Sequence, residues 1–572
     1  MAEKTHRIFF CLIGAVVFLW PFFVLADSEG QQKIFFVDPL YDAASRTQIQ
    51  ATLQKVSAKG YFYVEKTWYE ELAPAKKKEV LESLKIIADE FDRVIYPQLT
   101  AFYGSEWSSG IDNDERITIL FHQMKESAAG YFNNGDEYEK IQNPNSNERE
   151  MIYLNAENIP YEIVKSYLAH EFTHLIVFNQ KERLRGVKEE VWLNEGRAEF
   201  APTLLGYDDK EYEDTNLRQR IKIFAESPAD SVFEWQGQKK DYGVLNIFIQ
   251  YLVDYYGKEI LSVSLKSSKT GLLSLNEFLR AAGVNKAIED IFADWAVAVL
   301  VNDCRFGEFY CYKNKNLSQL KIVPSLLFLP SAQRTSISLN YAVKPWAANW
   351  YRIVGGQGSG QSSLKIKFSG RPGSNFKIPF VLCQDSSACQ VKFFGLKNEQ
   401  GEITVNNFGR DWNSLTLIPF AASKLTDLSQ NEPLLDFSLT VSFEKENEEE
   451  EIARLLAQAE ELKAQIALLQ AKLAALLGYR AVCGPFRENL SLGQKSFEVT
   501  CLQEFLKAQG AGIYPEGIVS GFFGALTRKA VIRFQEKYAS EILTPFGYQK
   551  GTGFVGPATR KKINQILGVP AG

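Results

Sequence analysis

Apolar residues return at Ile452, Leu455, Ala459, Leu462, Ile466, Leu469, Leu473 and Leu476, in alternating steps of three and four. That is a heptad seam, a pattern that only an α-helix gathers on one side. At 1.5 Å per residue it predicts a rod of roughly 37 Å. A stiff coiled-coil spacer over 445–478 is the minimal reading. Ala459 in the seam and few charge pairs beside it leave a partner for self-association unspecified. The full chain of 572 residues is also too long for one core, so several domains are expected.

The texture differs on either side of the seam. Over 27–320, helical patterns mix with short strand-like runs at 117–121 and 151–154, which predicts an α+β domain. Over 333–444, short alternating runs at 364–368, 380–382, 403–405 and 437–443 are separated by Gly, Ser and Asn, the signature of a β-sandwich. Trp346, Trp350 and Tyr351 there are either core aromatics or a binding face. Over 483–569, amphipathic helices at 498–508, 525–538 and 557–567 alternate with Gly-containing turns, predicting a small three-helix module. No repeat of solenoid period stands out.

Lys4 and Arg7 precede an apolar run at 8–25, and Val24-Leu25-Ala26 fits a small-residue cleavage site. An export signal over 1–26 is expected; the alternative is an uncleaved anchor, with Pro21 interrupting a run near the lower limit for a bilayer. Beyond it, six cysteines form three sequence-local couples, Cys304 with Cys311, Cys383 with Cys389 and Cys483 with Cys501. Export and an even count favour three disulfides. The net charge of -5 shows no basic excess and argues against nucleic acid.

Four histidines occur in the whole chain, and two stand in His170-Glu171-Phe172-Thr173-His174. Inside a helical pattern, side chains four residues apart project from one face, so both imidazoles reach one metal ion. The chance of such spacing, with Glu next to the first His, is about 0.002 at this histidine frequency. Neutral imidazole suits zinc, and Glu171 is placed as the base for a water bound there. A catalytic zinc takes three protein ligands and keeps one position open. Trp192-Leu193-Asn194-Glu195-Gly196-Arg197-Ala198-Glu199 offers Glu195 as third ligand and Glu199, one turn on, as the group that orients a ligand imidazole. The reverse assignment stays open, as does a solvated Glu199.

The HExxH helix followed by Asn-Glu-x-x-x-Glu resembles the gluzincins, the glutamate-ligand zinc peptidases that include thermolysin and aminopeptidase N. Trp-Leu-Asn-Glu-Gly resembles the third-ligand motif of aminopeptidase N, but the Gly-x-Met-Glu-Asn motif that holds a substrate amino terminus is missing. The resemblance therefore implies an endopeptidase, with spacing similar to hyicolysin-like secreted peptidases over about 117–257. It also implies a zincin fold, one zinc ion, a protein or peptide substrate, and a strand pairing with the substrate backbone, for which Gly130-Tyr131-Phe132 and 151–154 are candidates. Gluzincins use Tyr or His to stabilise the oxyanion. Tyr242, ahead of a helix expected over 244–256, is the candidate among 25 tyrosines, and a packing role is the alternative. His122 qualifies only if it reaches the site. Asp112-Asn113-Asp114 lacks the full EF-hand pattern and predicts a turn before the strand at Ile117 rather than a calcium loop.

Glu498-Val499-Thr500-Cys501-Leu502-Gln503, Gly521-Phe522-Phe523-Gly524, Thr527, Ala530-Val531, Phe534-Gln535 and Gly556-Pro557-Ala558-Thr559 together resemble the peptidoglycan-binding domain of bacterial cell-wall hydrolases. That resemblance implies a non-catalytic module holding an exported bacterial enzyme at the cell envelope. The alternatives are a generic protein-interaction module, a wall-bound adhesin or scaffold with a structural zinc, and an endopeptidase acting on peptidoglycan cross-links.

Overall fold

Strands that are apolar on both faces need cover on both faces. Three segments of the first domain meet that description and are buried at every position: β3 (Gly60–Glu65), β4 (Ile117–His122) and β6 (Met151–Asn155). They form the middle of a six-stranded sheet with β1 (Gln32–Phe36), β2 (Gln48–Val56) and β5 (Gly130–Tyr131), in the order β1-β2-β3-β4-β6-β5. β3, β4 and β6 run parallel to one another, while β1, β2 and β5 run antiparallel to their neighbours. The computed structural model describes residues 26–209, 214–328, 334–354, 362–423, 433–445, 448–476 and 483–569. The expected signal lies outside these residues except for Ala26.

One face of the sheet is covered by helices. α1 (Lys66–Glu71), α2 (Pro74–Glu90) and α3 (Tyr96–Tyr103) precede β4. α4 (Val164–Phe178), α5 (Val191–Leu204), α6 (Asn216–Glu226), α7 (Lys239–Tyr256), α8 (Glu259–Leu265), α9 (Gly271–Ala281) and α10 (Ile288–Val301) follow β6. α4 is buried along nearly its whole length, so its polar residues must find partners in the interior. The opposite face of the sheet has its own apolar cluster, with Phe35, Tyr63, Leu120 and Tyr153.

The period-two region folds into two sheets, as its alternation predicts. Its strands are β7 (Ser325–Phe328), β8 (Arg334–Val343), β9 (Tyr351–Val354), β10 (Ser362–Gly370), β11 (Phe376–Lys377), β12 (Pro379–Asp385), β13 (Ala388–Phe393), β14 (Gln400–Val405), β15 (Ser414–Leu417), β16 (Phe420–Ala421) and β17 (Leu435–Lys445). One sheet has the order β14-β10-β17-β8 and the other β13-β12-β15-β9-β7, with β11 and β16 as a separate pair. Trp346 and Trp350 are core residues, 3% and 4% exposed. Trp350 Nε1 donates to the carbonyl of Ala296 on α10 at 2.9 Å, and the Trp346 ring lies 4.9 Å from that of Phe233. The strands and helices therefore share one apolar cluster, and Met1–Lys445 forms a single compact unit.

The second compact unit is Glu446–Gly572. It opens with α11 (Glu448–Leu476), the helix predicted from the heptads, on which Ile452, Leu455, Leu462, Ile466 and Leu469 are exposed. It continues with α12 (Phe497–Ala508), α13 (Ala525–Lys537), the short α14 (Ala539–Ile542) and α15 (Pro557–Leu567) around Leu502, Phe505, Val531, Phe534 and Ile563.

This module carries a repeat that the sequence reading missed. Gln503 Nε2 donates to Phe522 O and Thr527 Oγ1, both at 2.8 Å. Gln535 Nε2 donates to Phe554 O at 2.8 Å and Thr559 Oγ1 at 2.9 Å. Each residue of the first set is matched 32 residues on (Gln503 to Gln535, Phe522 to Phe554, Thr527 to Thr559).

The three expected disulfides are formed: Cys304–Cys311, Cys383–Cys389 and Cys483–Cys501. Such bonds persist in an oxidising compartment. Among the described residues no helix is long and apolar enough to cross a membrane.

Candidate metal centre

Two helices build the site. α4 carries His170, Glu171 and His174, and α5 carries Asn194, Glu195 and Glu199. Their relative position is fixed by a buried ionic cluster at their junction. Arg197 on α5 donates to Glu189 Oε2 at 2.7 Å, to Ser264 Oγ at 3.0 Å and to Leu261 O at 3.0 Å. Lys181, in the turn after α4, lies 3.3 Å from the same Glu189 carboxylate. Removing one member would strand a buried charge.

His170 Nε2 and His174 Nε2 lie 3.1 Å apart, and Glu195 Oε2 stands 3.4 Å from the first and 3.7 Å from the second. The outer ring nitrogens face other partners: His174 Nδ1 meets Asn194 Oδ1 at 3.0 Å, and His170 Nδ1 meets Glu199 Oε1 at 3.4 Å. Both of those partners are acceptors, so assigning the ring protons from the network puts them on Nδ1 and leaves lone pairs on both Nε2 atoms. Three acceptors then converge with no donor between them, and Glu195 Oε2 is buried without a hydrogen-bond partner. Such a trio suits a cation, and two imidazoles with one carboxylate are a donor set for zinc.

Glu199 is fully buried and its oxygens are taken. Arg220 on α6 donates to both at 2.7 Å, and Asn216 and Asn246 donate to Oε2 at 3.1 and 3.0 Å. Against the cost of burial, Arg220 holds the Glu199 carboxyl well below the usual range. Glu199 thus backs His170 and does not face the acceptor trio.

Burial opposes charge on His170, but the carboxylates of Glu195 and Glu199, each 3.4 Å from one of its nitrogens, raise its pKa to about 10, so a proton on Nε2 facing Glu195 is the species a metal ion would replace. Burial lowers that of His174. Burial, reinforced by Glu195 and Glu199 and opposed by His170, lifts Glu171 to about 8.

These groups line a cleft of about 750 Å³, with Tyr41, Gly130, Tyr131, Glu171, Glu195 and Tyr242 among its walls. Gly130, in the edge strand β5, lies so close to Glu171 that a Cβ there would stand 2.9 Å from Oε1 and 2.7 Å from the carbonyl oxygen of Tyr153. Close approach makes this position glycine.

Tyr242 lines the same cleft, its ring 6.5 Å from that of His170 and 4.8 Å beneath the Arg220 guanidinium. It sits in the first turn of α7, not ahead of it as expected. The helix begins earlier because Gln238 and Asp241 form a reciprocal capping box. The charge of Glu195, then burial, raises the Tyr242 phenol well above its ordinary value, which keeps its proton available for donation.

His122 does not reach the cleft. It is buried against Asp42, 3.4 Å away, and meets the stacked rings of Tyr131 and Tyr153 edge to face. Asp112 and Asp114 form the expected turn, with Asp114 N donating to Asp112 Oδ1 at 2.9 Å. Sequence reasoning missed the supporting roles of Asn194, Arg220, Asn216 and Asn246. Asn194 lay inside the motif already examined, whereas the other three reach Glu199 only through tertiary packing.

No family model matches the chain, and no curated protein matches it. Among solved structures, the chain is similar to the pre-peptidase C-terminal domain of a collagenase from Bacillus anthracis, at 8% identity over 21% of this chain and 94% of that one, with a TM-score of 0.15. It is similar to PliG, a periplasmic inhibitor of g-type lysozyme from Aeromonas hydrophila, at 11% identity over 21% and 96%, with a TM-score of 0.15. The IMPa metallopeptidase in complex with T-antigen matches at 7% identity over 73% and 50%, with a TM-score of 0.12. Scores at this level carry no argument about fold or function, and the reading of the site rests on its own geometry.

Proposed function

We propose that this chain is a zinc-dependent endopeptidase of the gluzincin type, with His170, His174 and Glu195 as ligands and Glu171 as general base. The observation that carries the proposal is the convergence of three acceptor atoms without a donor, beside a buried carboxyl group in an open cleft. Three protein ligands leave a position for water, as a catalytic zinc requires. When bound, zinc would supply Lewis acidity to the scissile carbonyl and acidify the attacking water.

The chain's own residues then divide the work. Glu171 accepts the water proton and returns it to the departing amine. Tyr242 donates its hydroxyl hydrogen to the oxyanion of the tetrahedral intermediate. The free edge of β5 pairs with the substrate backbone and sets the peptide against Glu171. Asn194 and Glu199 fix the imidazole tautomers so that both Nε2 lone pairs point inward. Beyond the site, the sheet with its antiparallel edge strand and the two site helices support a zincin architecture. The disulfides support export, and the C-terminal module supports attachment to peptidoglycan.

The test is Glu171→Gln assayed on unfolded casein beside purified muropeptides. The variant is expected to keep its metal and lose about 10²–10⁴-fold in rate, the usual share of a general base. Undiminished casein hydrolysis would remove Glu171 from the mechanism, and activity on muropeptides alone would change the substrate class.

A further inference from the structure

Every described side chain between 452 and 469 on α11 is exposed, so no other described part of the chain covers its heptad seam. Within that seam Ile452 is 54% exposed, Leu455 48%, Leu462 58%, Ile466 52% and Leu469 63%. Leu456 flanks the seam and Leu468 lies off it, both exposed as well. In proteins a helix draws most of its stability from packing its apolar face. The face of α11 meets that need only from outside the chain.

The residues of the seam select the occupant. With Ile452 at heptad position a, Ile466 also falls at a, and Leu455, Leu462, Leu469 and Leu476 all fall at d. Isoleucine at a with leucine at d favours two parallel strands, whereas isoleucine at d favours three or four. The sequence carries the seam through Leu473 and Leu476, and four heptads are enough to sustain a coiled coil. Charge beside the seam sets the direction. In a parallel pair each g residue meets the e residue five positions on in the other helix, so Gln458 faces the counterpart of Lys463 and no like charges meet there. An antiparallel pair over the same seam would set Lys463 beside its own counterpart, a like-charge contact. Ala459, at a, leaves one thin layer in the seam, which lowers affinity without changing register.

We infer that α11 is a dimerisation element whose occupant is the same helix of a second copy of this chain, parallel and in register. The pairing is two-fold and self-complementary, so it closes at two copies. Cys483, where the C-terminal module begins, is seven residues beyond Leu476, a span of at most about 25 Å. Parallel pairing therefore carries both modules to one end of the coiled coil, where a polymer with repeating sites meets two of them at once and gains avidity without any new contact. The dimer stands or falls independently of the peptidase reading.

Sedimentation velocity on the full chain, from nanomolar to high micromolar concentration, reads the association. A monomer–dimer equilibrium with no larger species is expected. Leu462→Lys, which sets two charges in the seam in place of two leucines, should raise the dimer Kd about 100-fold or more. Ala459→Ile, which fills the thin layer, should lower it about 10-fold. Both positions are exposed on α11, so the far-ultraviolet spectrum and Tm of the dilute chain should stay unchanged. Leu455→Cys should join two chains through a disulfide on mild oxidation, because only the parallel, in-register pair brings position 455 against itself. A wild-type chain that stays monomeric throughout, a trimer or tetramer, or a dimer untouched by Leu462→Lys would overturn the proposal. A dimer in which Leu455→Cys forms no cross-link would overturn its parallel sense.

Discussion

Two of the buried carboxylate clusters in the first unit, one on paired helices and one on paired loops, differ in how completely protein groups satisfy them. At Glu195 a single oxygen is left bare, and Glu199 behind it is saturated by Arg220, Asn216 and Asn246. Glu137 and Glu150 are held side by side and bond to each other, with the N–H of Ile111 donating to Glu150 Oε1. A helix pair supplies rigid, repeated directions, so a few side chains can aim at one point while others support them. Loops supply close approach but few fixed directions, and here they press two carboxyl groups against each other.

The largest effect expected from breaking this contrast is at Glu199. Glu199→Ala leaves the half-buried Arg220 and the buried Asn216 and Asn246 without the carboxylate they share, and about 3–5 kcal/mol of stability should be lost in denaturant unfolding. Zinc affinity, measured by competition with a chromophoric chelator, should fall about 10–100-fold because His170 loses its orienting partner. An unchanged zinc affinity would reduce Glu199 to a purely structural role.

His122 provides a buried titratable group that belongs to neither cluster. Burial, outweighing the charges of Asp42 and Glu65, lowers its pKa from 6.5 to about 4. Between those values the unfolded chain binds a proton that the folded chain refuses, so stability falls as pH drops from 6.5 towards 4, by about 3 kcal/mol in all. His122→Asn should flatten that slope in unfolding curves taken between pH 7 and pH 5. A slope unchanged by the substitution would assign the acid sensitivity to other groups.

Each cluster also has one glycine pressed against it. Gly110→Ala meets both a positive φ and the Glu150 carboxylate, and should cost about 2–3 kcal/mol in unfolding free energy. Gly130→Ala meets the Tyr153 carbonyl and Glu171 at the ordinary end of the backbone range. It should cost about 1–2 kcal/mol of stability, with a fall in kcat of about 10-fold as the edge strand shifts against the base. If Gly130→Ala left kcat intact, the edge strand would not set the position of the peptide.

The helix cluster was legible in the sequence because its information is local. His170 and His174 are one turn apart, and so are Glu195 and Glu199, which makes face and periodicity enough to pair them. Bringing the two helices together rested on family resemblance, and Arg220 and Asn246 carry no local signal at all. Glu137 and Glu150 lie across an irregular loop where no period applies, so only the folded backbone shows them adjacent. The start of α7 was placed late because Lys239 and Lys240 break the apolar pattern while the capping box, made of polar side chains, sets the true start. The 32-residue repeat of the second unit is carried by a turn, Gly521-Phe522-Phe523-Gly524 with Thr527 matched by Gly553-Phe554-Val555-Gly556 with Thr559, and by Gln503 and Gln535, so helical periodicity alone does not show it. The sandwich strands were legible from alternation, but their shared core with the helices depends on Trp346 and Trp350, whose partners are distant in sequence.

Metal content tests the central claim most directly. Purified wild-type chain and Glu171→Gln should each hold one zinc per chain by elemental analysis, and His170→Ala should hold none and hydrolyse no casein while its far-ultraviolet spectrum stays that of the folded chain. Absence of stoichiometric zinc from the wild-type chain after exposure to it, or full casein hydrolysis by a zinc-free His170→Ala, would contradict the account.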